Sequence, residues 1–65
     1  MMFTQSAVLH YLEKKRGYTE KELRIKLGML LAVYRRVREG KAKFTDEQYQ
    51  TLIKEFPELL GRVER

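Results

Sequence analysis

Gly17, Gly28 and Gly40 each follow a short run of helically spaced apolar residues, and so divide most of the chain into helices too brief to stand outside a bundle. Thr4 or Ser6 can cap a first helix over about residues 4–16, carrying Ala7, Val8, Leu9 and Leu12 on one side. Lys14, Lys15 and Arg16 lie in its last turn, where cations suit the helix dipole. Thr19 and Glu22 form a capping box that starts a second helix over 19–27. A third helix runs over 30–39. Thr45 caps a fourth over 45–56, with Asp46 and Glu47 in its first turn and Tyr49, Leu52, Ile53 and Phe56 at helical spacing. Pro57 ends that helix or begins another, and "PELLGRV" allows a further short helix over 57–63. Strand alternation and internal repeats are missing from the sequence. The expectation is an all-α single domain over residues 1–65, a compact bundle of four to five short helices with tight connections.

A chain of 65 residues has room for one core only, and domains of this size are commonly reinforced by disulfides, metals or partner subunits. The sequence has no cysteine, and His10 is its only histidine, so a disulfide framework and a cysteine–histidine zinc site are excluded. Helix packing must carry the fold, with oligomerisation as the remaining aid. The hydrophobic fraction of 43% is that of a folded chain. No apolar run approaches membrane-span length, and the first residues lack the pattern of a signal peptide, so a cytoplasmic location is expected.

Charge is unevenly placed. The net charge is +5, and residues 35–43 alone, with Arg35, Arg36, Arg38, Lys41 and Lys43 against Glu39, contribute +4. Such a segment suits a polyanion such as nucleic acid, although a solvated helix face has the same composition. An enzyme is not expected: the carboxylates fall at caps and exposed helix positions, no nucleophile sits in a recognisable motif, and His10 is isolated. Neither cofactor, metal nor membrane is implied. The tyrosines Tyr11, Tyr18, Tyr34 and Tyr49 lie on different helices, as core and core-edge residues do, rather than forming a base-stacking platform.

Two short helices joined around a glycine, the first well capped, are the physical core of a helix-turn-helix. From about residue 9 to 56 the chain resembles the Cro/CI-type (XRE) helix-turn-helix domains of phage and bacterial repressors. The resemblance is carried by Gly17, the Thr19 cap, Leu23, Leu27–Gly28, Met29, Tyr34, Val37 and Gly40–Lys41 in ungapped order, followed by a capped helix with Leu52 and Phe56. It implies a lambda-repressor-like bundle, a third helix laid in the major groove of double-stranded DNA, and often a homodimer. Members often carry a basic residue four positions before the first glycine and an acidic one two before the last. This chain has Glu13 and Arg38 there, with both signs reversed, which predicts an ion pair between helices.

Other positions depart from the family. Glu20 stands where a phosphate-contacting glutamine is common, Arg24 where alanine lets the helices approach, and Leu30 and Leu31 where polar residues open the reading helix. Counted around the third helix, Leu30 joins Tyr34 and Val37 on the core side, Arg38 borders it, and Leu31 lies on the flank. Ala32, Arg35, Arg36 and Glu39 point outward. For a DNA partner, Arg36 is the candidate for a bidentate guanine contact and Arg35 for a base or phosphate, with Leu31 and Ala32 against thymine methyl groups. Lys41, Lys43 and Lys21 are the backbone contacts. The alternative is the same scaffold used as a protein-binding module, a phage-type antirepressor or a partner of a repressor or other regulatory protein, through exposed Ile25 and Leu31. Phe56, Leu59, Leu60 and Val63 either pair two subunits or close the monomer core.

Overall fold

The computed structural model describes residues 2–65. Four helices follow one another: α1 (Gln5–Lys14), α2 (Glu20–Leu27), α3 (Leu31–Arg38) and α4 (Asp46–Glu55), with a single 3-10 turn at Pro57–Leu59. Each start has a local cause. The Thr4 hydroxyl accepts from the Ala7 amide at 3.1 Å. At α2 the Glu22 amide donates to the Thr19 hydroxyl at 3.1 Å, and the Thr19 amide donates to the Glu22 carboxylate at 2.9 Å. That box satisfies two otherwise orphan donors and draws the Glu22 carboxyl below its ordinary range, chiefly through the Thr19 backbone bond. Thr45 and Gln48 form the same reciprocal pair at the start of α4.

α2 stops because Gly28 adopts φ 66°, a left-handed conformation that glycine enters without a Cβ penalty. The Met29 amide then reaches back to the Arg24 carbonyl at 2.9 Å, closing the turn. Only Gly28, Met29 and Leu30 separate α2 from α3. Met29 is buried and pins this connection to the core.

α1 packs on α3, while α2 packs on both α3 and α4. Val8, Leu9, Leu12, Leu23, Tyr34 and Leu52 have no exposed surface and form the centre of the core. The Cα radius of gyration is 10.4 Å, close to the roughly 10.7 Å expected of a compact chain this long. Together these make a compact all-α bundle of four short helices.

The last residues do not continue as a helix to 63. Leu60 is extended, at φ −58° and ψ 125°, and Gly61 has φ 76°, so the chain turns back after three residues of 3-10 geometry. Val63 forms an isolated parallel bridge with Phe3, through the bonds Phe3 amide to Arg62 carbonyl at 2.7 Å and Glu64 amide to Phe3 carbonyl at 2.8 Å. Phe56, Leu59 and Val63 are buried against the rest of the domain. Within this chain they form part of the core. Of the four C-terminal apolar residues, Leu60 alone stays open, at 72% exposure.

Gln5 ties this closure together. Its side-chain carbonyl accepts from the buried Phe44 amide at 2.6 Å, and its amide donates to the Glu64 carbonyl at 3.1 Å. One polar side chain on α1 thereby serves both the α3–α4 loop and the returning C-terminal segment.

Candidate nucleic-acid interface

α3 is fixed from behind by a polar network. Tyr34 and Arg38 both donate to Oε2 of Glu13 on α1, the hydroxyl at 2.5 Å and the guanidinium Nε at 2.9 Å. The Ser6 hydroxyl donates to the Arg38 carbonyl. Arg38 therefore faces α1 and is only partly exposed. Burial, and then the Glu13 carboxylate beside it, raise the Tyr34 hydroxyl well above the ordinary tyrosine range. Three contacts from one helix to another set the rotation of α3, and hence which residues it presents outward.

The presented face carries Leu31, Ala32, Arg35 and Arg36, all exposed. Its two arginines are in different states. Arg35 donates Nε to Glu20 Oε2 at 3.2 Å and Nη2 to Glu20 Oε1 at 3.1 Å, a two-bond fork onto the first residue of α2. This pairing draws the Glu20 carboxyl below its usual range and raises Arg35. Arg36 has neither a hydrogen bond nor an ion pair among the described residues. The arrangement leaves the Arg36 guanidinium available for a planar acceptor pair, next to Arg35, whose Nε–Nη2 edge is held by Glu20.

Leu30 is not in the core. It is the N-cap of α3, with extended φ −69° and ψ 148°, and is 75% exposed. The angular count that placed it beside Tyr34 holds only inside a helix, and Leu30 stands one residue before it. As an N-cap it makes no side-chain hydrogen bond. Leu31, on the flank, is 38% exposed, and Ile25 on α2 is 61% exposed.

The lysines border this face unevenly. Lys41 follows α3, with its ammonium 3.8 Å from Glu39. Lys43 donates to the Arg65 carbonyl at 3.1 Å, which holds it near the C-terminal segment. Lys21 lies exposed in the first turn of α2. Arg24 is half-buried, and His10 is exposed. Among the described residues, no group of three His, Cys, Asp or Glu side chains could hold a metal ion. Among the described residues, no helix is long and apolar enough to cross a membrane.

Reading the sequence missed two contacts that shape the site. The Glu20–Arg35 fork joins residues 15 apart, and its only sequence signal was an acidic residue in the first turn of one helix facing a basic one on the next. The Tyr34 hydroxyl bond to Glu13 lay hidden because Tyr34 read simply as an apolar core residue. No family model, curated protein or solved structure matches the chain significantly.

Proposed function

We propose that this domain is a DNA-binding transcriptional regulator of the lambda-repressor-like helix-turn-helix kind, a Cro/CI-type repressor that lays α3 in the major groove. The observation that carries the reading is Arg36: exposed, unpartnered among the described residues, and projecting from a short helix whose opposite side is fastened to α1. A free guanidinium on a rotationally fixed helix suits the O6 and N7 edge of guanine. Lys21, Lys41 and Lys43 are assigned to phosphates around the groove and, with Arg36, supply the attraction, Arg35 and Arg38 being paired with Glu20 and Glu13. On this reading the protein works in the cytoplasm, without cofactor or metal, and catalyses no reaction. A homodimer on a two-fold-related site would use Leu60 and its surroundings, since the neighbouring apolar residues are buried.

Selection from a random duplex pool tests the proposal. A regulator of this kind enriches a short shared sequence containing guanine, and Arg36→Ala relaxes the preference at that guanine by about 1–3 kcal/mol. Failure to enrich any sequence would contradict it.

A second reading has its own support. Ile25, Leu30 and Leu31 are exposed apolar side chains on α2 and at the start of α3, and a protein partner would give them apolar surface to cover. A helix-turn-helix scaffold serving as an antirepressor or a repressor partner would use them. Ile25→Ser together with Leu30→Ser then abolishes capture of that partner and leaves salt-dependent DNA affinity absent or unchanged.

A further inference from the structure

Residues 30–33 at the start of α3 are Leu, Leu, Ala and Val, so no side chain there has a hydrogen-bonding atom. Leu30, Leu31 and Ala32 are exposed. Toward a base edge they can offer only alkyl surface. The one alkyl group that base pairs display in the major groove is the 5-methyl of a pyrimidine.

Arg36 stands four residues after Ala32, on the same face of the helix. Four residues rise about 6 Å along a helix, against about 3.4 Å per base-pair step, so both contacts fall within roughly two base pairs of each other. Arg35 commits its Nε–Nη2 edge to Glu20, so only its Nη1–Nη2 end remains for a base.

We propose, resting on the DNA-binding reading above, that α3 recognises a 5-methylated pyrimidine within two base pairs of a guanine. Leu31 and Ala32 receive the methyl group, and Arg36 takes the guanine O6 and N7. Arg35 is a positioning residue that braces α3 against α2 through Glu20. Thymine and 5-methylcytosine carry the same methyl group at the same place in the groove, so either can be the source.

The test is selection from three random duplex pools: ordinary DNA, DNA with uracil for thymine and 5-methylcytosine for cytosine, and DNA with uracil for thymine only. The first pool carries the methyl on thymine, the second on cytosine, and the third lacks it. The expected result is a guanine beside a fixed methylated pyrimidine in the first pool, the second, or both, which also identifies the source. The third pool then yields no fixed pyrimidine at that place. On a selected duplex, removing the one methyl weakens binding about fourfold, the value of one buried methyl-sized group. Leu31→Ser erases that ratio. Because the base substitution leaves the protein unchanged, a folding defect cannot imitate the result. Equal affinity with and without the methyl, or selected sequences lacking the neighbouring guanine, overturns this inference while DNA binding stands. No binding in any pool at low salt overturns both.

Discussion

Glu20 and Arg35 meet through two hydrogen bonds of 3.1 and 3.2 Å that join the first turn of α2 to the middle of α3. A carboxylate that looks hostile to phosphate when its position is read alone is, in the fold, the partner of an arginine. The pair is surface-exposed, so its importance lies in geometry and charge and little in stability.

Glu20→Gln removes the negative charge and weakens the hold on Arg35, leaving a single carbonyl acceptor. Affinity for random duplex should rise at low salt, with the slope of log K against log salt steeper by about one. Unchanged affinity would mean that Arg35 is too far from the backbone to matter. Acid acts on the same pair. The folded-state pKa of Glu20 is depressed, so the pair's contribution is present above the ordinary value of 4.5 and is lost as pH falls through the lower folded value. Any difference in melting temperature between parent and Glu20→Gln should therefore vanish only on the acid side of 4.5.

Glu13→Lys strikes the network behind α3. Arg38 would lose its partner and face a like charge, and Tyr34 would lose its acceptor. Calorimetry should register a loss of about 2 kcal/mol or more, less than for a fully buried pair because Arg38 retains contact with water. The exchange Glu13→Lys with Arg38→Glu should recover part of it. A parent-like melt for the single variant would show that α3 is held by apolar packing alone.

Tyr34 makes the domain sensitive to alkali. Its folded-state pKa is raised by burial and by Glu13, so the neutral hydroxyl is favoured in the folded state. The associated stability is complete below the ordinary tyrosine value of 10.0 and declines as pH rises beyond it. Chemical denaturation across that range should show the parent's advantage over Tyr34→Phe shrinking. A constant difference would contradict the coupling.

Leu30 distinguishes a structural residue from a functional one. An exposed N-cap without a side-chain acceptor is locally unfavourable, so Leu30→Ser should stabilise the domain by about 1 kcal/mol. If Leu30 takes part in recognition, the more stable variant binds less well. A destabilised Leu30→Ser would instead place the side chain in packing contact.

The parts of this domain legible in the sequence are those with local causes. Thr19 with Glu22, and Gly28 before the third helix, act within a few residues, and the structure uses them as read. Leu30 was misplaced for an equally local reason: helical periodicity was extended one residue past the helix it describes. Glu20–Arg35 and Gln5–Phe44 depend on how helices meet, which spacing along the chain does not encode. Phe56, Leu59 and Val63 were legible as apolar, but their burial within the domain depends on the return of the chain to Phe3, which spacing does not encode.

A salt titration tests directly whether α3 and the lysines around it meet duplex DNA. The parent protein and an Arg36→Glu, Lys41→Glu variant are titrated with random duplex between about 50 and 200 mM salt. With Lys21, Lys41 and Lys43 on phosphates, parent binding should strengthen as salt falls, with a log–log slope of about −3, and the variant should not bind. Absence of parent binding at the lowest salt, or equal binding by the two proteins, would contradict it.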